Sequence, residues 1–388
     1  MASHADECVE TGPPEPEAGG VLTIDLGALA ANWRSLRDRV APAECAAVVK
    51  ADGYGLGLAH AVRALDKAGC RTFFVANLSE AVTAREACAD AHIYVLNGLL
   101  PGTAATYAGL ALRPILGSPE EITEWAGFCR GAEARLPAAI HVDTGMNRLG
   151  LTPEEAAEAA HSPLFRDFEP ALVMSHFVLS EEPENPLNAR QIARFAAIRQ
   201  AFPGVPDSLC NSSGIFLPER PHLDLVRPGY ALYGGNPTPG RPNPMRDVIR
   251  LEGRIVQVRT AEDGETVSYN AQWTARGRRR LAVVSVGYAD GYPRAASATD
   301  VKHNGEVPAG AALVGGALCP FAGRVSMDLI VIDVTDAPDG AAHRGALVTL
   351  IGDGLDVDEV GRRADTIGYE ILTSLGGRYK RRYVGGEG

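Results

Sequence analysis

The chain has 388 residues, enough for two or three ordinary domains or for one large barrel with a companion. Apolar residues make up 46% and charged residues 22%, the balance of a soluble globular protein with an ample core. A formal net charge of −11 argues against a nucleic-acid surface or an anionic membrane as partner.

Residues 1–20, "MASHADECVETGPPEPEAGG", are acidic and rich in proline and glycine. With neither a basic n-region nor an apolar h-region they read as a disordered lead-in, not a signal peptide. Residues 21–27 open "VLTIDLGAL", a strand expected to join a later β domain. From 28 to 245 short apolar runs alternate with longer helix-period segments. The runs are "CAAVV", "TFFVA", "HIYVL", "LRPIL", "AAIHVD", "PALVMSH", "DSLCN" and "LDLVRPG". Among the helical segments, "LNARQIARFAAIRQAF" carries an imperfect stripe of Leu187, Ile192, Phe195, Ala196 and Ile198. Ser118 followed by Glu121 predicts a capping box.

Eight such units predict an α/β fold, a parallel (β/α)8 barrel of TIM type, with its chemistry at the carboxyl ends of the strands. Lys50, Asp143, His176, Asn211 and Arg227 all fall at or just beyond those ends. Residues 246–388 change texture: "RIVQVRTAEDGETVSY", "RLAVVSVGYADG", "DLIVIDV" and "GALVTLIGD" are β-branched runs between turn residues, a mostly antiparallel β domain. The longest weakly apolar run, "PAGAALVGGALCPFAG", is broken by proline and glycine and too short to span a bilayer. Seven scattered cysteines without a C-x-x-C pair predict neither a disulfide framework nor a metal site, which fits the cytoplasm.

Lys50 ends the run "AAVV" and leads into "ADGYGLG". A buried ammonium is costly unless it is paired, neutralised or chemically used. Lysine loses its proton readily on burial, which suits it to covalent chemistry with carbonyls, and the glycines allow close approach of backbone to a ligand. On residues alone, however, a lysine at a strand end is more often simply solvated.

At this point the chain resembles the alanine racemase family. "AVVKADGYGLG" matches the family's cofactor stretch except at Leu56, where the family has histidine. In order follow "HVDTGMNRLG" (His141–Gly150), "MSHF", "NSSGIF…DLVRPGYALYGG" (Asn211–Gly235), "VSYN", "GYADGYPR", "GRVSMD" and "DTIGYEIL". The resemblance implies racemisation of L- and D-alanine with pyridoxal 5′-phosphate (PLP), an electron sink that makes the Cα proton removable. Lys50 would anchor PLP and act as base on one face, and Tyr269, from the partner subunit of a homodimer with shared active sites, on the other. His176 would support that phenol, since an ordinary phenol titrates near 10. Arg227 would face the pyridine nitrogen and, giving up no proton, keep the ring a weak electron sink. The resemblance implies further that Tyr54, Tyr369, Ser212 and the backbone of Gly229 and Tyr230 bind the phosphate, with Asn211 and His176 also lining the cofactor site. Arg148 and the backbone at Met327 would meet the substrate carboxylate, and Tyr288 would narrow the entrance. "NSSGIF" would open a short helix.

Two departures matter. His141 stands where many members carry a carbamylated lysine that neutralises the arginine, so Arg148 would need another counterpart, a bound anion such as chloride or a nearby carboxylate. Ser326 replaces the usual cysteine and, like Leu56, is peripheral to the expected proton transfers and bears on substrate breadth. A racemase of broader specificity and a barrel-type PLP decarboxylase remain the alternative readings. The decarboxylase block, a cysteine followed closely by aspartate, is not found, since Cys319 sits in "ALCPFAG". A barrel-only PLP carrier would have no use for Tyr269.

Overall fold

All eight apolar runs form parallel strands in the computed structural model, which describes residues 9–300 and 308–386. Ala47–Val48, Thr72–Val75, His92–Val95, Arg113–Leu116, Pro137–His141, Glu169–Met174 and Asp207–Ser208 pair in chain order. The last strand, Leu225–Val226, pairs with Glu44–Cys45 at the start of the first run. Backbone bonds then close the ring: Ala46 N–H to Val226 O (3.0 Å), Val48 N–H to Pro228 O (2.9 Å) and Arg227 N–H to Cys210 O (2.9 Å). Closure removes the sheet edges. Phe73, Phe74, Val75 and Ile140 are fully buried. Strands covered on both faces read as continuous apolar runs, which is what made them visible.

Helices follow the first six strands: Leu58–Ala68, Leu78–Ala87, Ala104–Gly109, Pro119–Gly131, Pro153–His161 and Pro186–Ile198. The seventh and eighth strands depart from the expected strand–helix unit. They are followed by single 3-10 turns, Ser213–Phe216 and Tyr230–Tyr233. Glycine, serine and proline crowd both segments, which are too short to offset helix nucleation. The capping box at Ser118 forms only by half. Ser118 accepts from Glu121 N–H (3.2 Å), but the Glu121 carboxylate turns to Gly117 N–H (2.6 Å) and Leu99 N–H (2.8 Å). The apolar stripe also needs correction, because the buried face of Pro186–Ile198 is Asn188, Gln191 and Phe195.

Leu29–Leu232 with Asn236–Met245 make up this barrel unit, while residues 9–28, Tyr233–Gly235 and the described residues from Arg246 onward form the other. In the latter the long strand Ile249–Ala261 pairs antiparallel with Gly20–Asp25, Leu347–Ile351 and Arg279–Val284. Arg279–Val284 pairs in turn with Ile330–Asp333. An irregular register between Ile255 and Gln257 bends the long strand, the usual effect of a bulge.

The lead-in expected to be disordered is ordered from residue 9. Val9–Thr11 pairs with Lys380–Val384, which also runs parallel beside Gly20–Asp25. Glu10 meets Lys380 (2.9 Å) and Arg382 (3.3 Å), and Glu15 meets Arg382. The acidic composition that argued for disorder is matched by the basic strand "KRRYV". Residues 1–8 of that stretch lie outside the described residues, Cys8 among them. The other six cysteines are free and buried. No helix of the described residues is long and apolar enough to cross a membrane.

Candidate active site

The first strand ends in an unusual turn. Ala51, Asp52, Gly53 and Tyr54 are all left-handed, with φ of 55°, 53°, 62° and 55°. Only the glycine takes this conformation freely, and each of the other three costs about 1 kcal/mol or more. The Glu80 carboxylate, on a helix capped by Asn77, holds the turn by accepting Ala51 N–H (2.7 Å) and Ala76 N–H (2.8 Å). Asp52 in turn accepts Leu58 N–H (2.8 Å) at the start of the next helix. Lys50 is thereby set half-buried at the strand end. Burial, and secondarily the charge of Arg148, lower its pKa against an opposing pull from Glu80.

Beyond the fifth strand, Asp143 accepts the N–H groups of Gly145 (2.7 Å), Met146 (2.8 Å) and Asn147 (2.7 Å). These bonds fold the loop that carries exposed Arg148. No carboxylate of the described residues forms an ion pair with Arg148, so the expected carboxylate counterpart is not among them. His141 cannot replace it. Burial first, then Arg227, push its pKa down to about 4, and it is neutral at pH 7.

Beyond the sixth strand stands His176, whose pKa is held well below the usual value by burial, with Arg227 and Lys50 adding to the effect. Arg227, 3% exposed, donates to Ser175 O (2.6 Å), to Ser208 Oγ and, at a longer 3.4 Å, to His176 Nδ1. Its guanidinium lies over the Phe74 ring (5.9 Å). Burial lowers its pKa to about 10, which still leaves it charged at neutral pH.

At the seventh strand, Asn211 Oδ1 accepts from Ser180 Oγ and from Gly214 N–H, both at 2.8 Å. The expected helix start in "NSSGIF" is a 3-10 turn. Ser212 Oγ accepts from Gly229 N–H (3.1 Å) and Ala231 N–H (3.2 Å), tying the last two strand ends together. A Cβ on Gly229 would stand 2.2 Å from the hydroxyl of buried Tyr54, so only glycine admits that tyrosine here. Tyr54 titrates above the ordinary phenol because it is buried. Tyr230 is buried in the following turn.

Tyr269, Tyr288, Met327 and Tyr369 belong to the β unit. Ser268 (φ 64°) donates from Oγ to Arg324 O (2.9 Å), and Tyr288 N–H and Ala289 N–H donate to Ser326 O (3.0 Å) and Met327 O (2.9 Å). Three loops are thus stitched together, with Tyr269 69%, Met327 53% and Tyr288 41% exposed. Tyr369 is half-buried on the helix Gly368–Ser374. Sequence reasoning missed Glu80, Thr144, Ser175, Gln191 and Ser208. Only Gln191 left a signal, a polar residue one turn before Phe195 on the core-facing side.

The depressed histidines set a pH dependence. The unfolded chain takes up protons at His141 near 6.5, whereas the folded chain does so only near 4, so stability is lost as pH falls through that window. His176 acts in the same direction. Urea unfolding at pH 7 and pH 5 is expected to show the loss, and His141→Gln to make it smaller. An unchanged difference in the variant would contradict this assignment.

Against known proteins, the family description "Alanine racemase, N-terminal domain" matches residues 24–237, and "Alanine racemase, C-terminal domain" matches 248–383. An alanine racemase of Methylobacterium nodulans is 59% identical over 368 residues, 95% of this chain and 97% of its own. One of Methylobacterium sp. (strain 4-46) is 59% identical over 366 residues, 94% and 98% of the two chains. A crystal structure of alanine racemase from Bartonella henselae, with covalently bound pyridoxal phosphate, is similar at a TM-score of 0.88. Its identity is 38%, over 95% of this chain and 100% of that one. With both halves matched in order over nearly its whole length, the chain belongs to the alanine racemase family.

Proposed function

We propose that this chain interconverts L- and D-alanine with PLP as cofactor, in the cytoplasm. The observation that carries the reading is the cationic cluster at the carboxyl ends of the barrel strands. Lys50, Arg148 and Arg227 carry its charge, all three within electrostatic reach of His176, which like His141 is neutral, and Asp143 and Glu80 oppose them with carboxylates already engaged by backbone N–H groups. Such a cluster suits a doubly anionic ligand pair, a phosphate and a carboxylate. The donors fit PLP: a lysine with a lowered pKa for its aldehyde, a guanidinium for its ring, and hydroxyls and small residues at Tyr54, Ser212 and Gly229 for its phosphate.

When bound, PLP supplies the electron sink that acidifies the Cα proton. The chain's own residues do the rest. Lys50 would anchor the cofactor, and its Nζ, when free, would take or return the proton on one face of Cα. Tyr269 of the partner subunit does so at Oη on the other, with His176 supporting it. Arg227 keeps its proton and holds the ring nitrogen unprotonated. Tyr54, Tyr369, Ser212, Gly229 and Tyr230 would bind the phosphate, with Asn211 also lining the cofactor site. Arg148 and the backbone at Met327 hold the substrate carboxylate, with Tyr288 at the entrance. A small bound anion such as chloride completes the surroundings of Arg148, since His141 is neutral.

The test is incubation of the PLP-loaded protein with L-alanine in deuterated water, followed by chiral separation. D-alanine deuterated at Cα is expected; unchanged alanine with cofactor bound would overturn the reading. The same experiment with L-serine and with lysine separates the broad-specificity racemase and the decarboxylase.

Two further outcomes are expected. Gly229→Ala forces the Tyr54 hydroxyl aside and should weaken PLP binding by about tenfold or more; fluorescence titration with PLP measures it, and wild-type affinity would exclude the cradle. The role proposed for Tyr269, exposed on its stitched loops, takes a second copy to complete each site. Sedimentation should therefore show a two-fold dimer, and a monomer with full activity would rule out shared sites.

A further inference from the structure

Gln191 lies wholly inside the barrel unit, on the helix Pro186–Ile198, with no solvent exposure. Three of the four hydrogen-bonding sites of its amide are used. Oε1 accepts from Val178 N–H (3.0 Å), and Nε2 donates to His176 O (2.9 Å) and to Thr144 Oγ1 (3.0 Å). The first two bonds flank Phe177, so the side chain engages the main chain just past the sixth strand as a neighbouring strand would. The third reaches the loop after the fifth strand, four residues before Arg148. Thr144 Oγ1 also meets Ser175 Oγ (2.7 Å), and Ser175 O is the acceptor for Arg227 (2.6 Å). Thr144 and Ser175 are each 1% exposed.

We propose that Gln191 is a positioning residue. Through Thr144 it sets the loop that presents Arg148, and through the main chain of residues 176–178 it sets His176. This rests on the function proposed above. A side chain used only for packing would need no such set of bonds, and an apolar residue of similar size would fill the space. Buried polar groups left unpaired cost more than the bond itself was worth, so removing either partner releases both loops from a common reference.

The test uses the full PLP-loaded protein and begins with the wild type. A wild-type chain that takes up no PLP overturns the underlying reading and removes this proposal with it, before any variant is made. If PLP binds, the affinity for propionate, a carboxylate of alanine's size without an amine, is measured from the change in cofactor absorbance, beside KM and kcat for alanine. Thr144→Val is expected to weaken propionate binding and raise KM roughly fivefold, with kcat little changed, while Thr144→Ser restores both. Gln191→Met is expected to do the same and in addition to lower kcat and shift the cofactor absorbance maximum, since His176 moves too. Lower melting temperatures with propionate affinity, KM and absorbance all at wild-type values would overturn the proposal and leave Gln191 as packing. Should Gln191→Met fail to fold, the Thr144 pair decides: wild-type propionate affinity in Thr144→Val overturns the proposal, and a loss restored by serine supports it.

Discussion

Lys50→Ala is expected to carry no PLP that survives borohydride reduction followed by denaturation, and to racemise alanine at least about 10³-fold more slowly. The wild-type amine is suited to the linkage because burial and the nearby Arg148 charge lower its pKa. Its neutral, nucleophilic fraction therefore grows at lower pH than that of a surface lysine. Cofactor attachment to the wild type should accordingly rise with pH and level off below the usual lysine range. Absorbance of the reduced, unfolded chain measures the link directly. A variant that still holds PLP covalently would place the anchor elsewhere.

Tyr269→Phe comes next in size, with an expected loss of about 10²- to 10⁴-fold in racemisation. The ring stays and only the hydroxyl goes. Because Tyr269 is 69% exposed, the change should move stability by no more than about 0.5 kcal/mol, which separates loss of chemistry from loss of fold. Exchange of the α-proton with deuterated water adds the directional test. In Tyr269→Phe, exchange into D-alanine should survive better than into L-alanine, and Lys50→Ala should show the reverse. Equal losses for both enantiomers in both variants would refute a division of the two faces between these residues.

The barrel was legible because its strands are buried on both sides and leave unbroken apolar signatures. What the pattern concealed has physical causes. "NSSGIF" was expected to open a short helix, and all eight strands to be followed by helices, but serine, glycine and proline hold the last two segments to 3-10 geometry. The helix Pro186–Ile198 was read by hydropathy, which cannot register that buried Gln191 makes three hydrogen bonds and that Nδ2 of buried Asn188 donates to Leu179 O and Glu182 O. Glu80 was invisible for a related reason. Its role depends on the left-handed path of Ala51 and Asp52, and no local rule predicts that path for alanine. The candidate site was legible at Lys50, His176, Asn211 and Arg227 from their places at strand ends. Tyr269, Tyr288, Met327 and Tyr369 came only from the resemblance, since nothing in their local pattern sets them apart from other loop residues.

The strand Gly20–Asp25 lies between Ile249–Ala261 and Lys380–Val384, so it borders a segment made long after it. At about 5–20 residues per second, roughly 20 to 70 seconds separate the emergence of Gly20–Asp25 from that of its C-terminal neighbour. The barrel sequence is complete well before then. Premature termination near residue 380 would therefore yield a chain with every barrel strand present and the β unit missing a strand between Val9–Thr11 and Gly20–Asp25. A truncation that removes Lys380–Val384 would thus disturb the β unit while leaving every barrel strand in place.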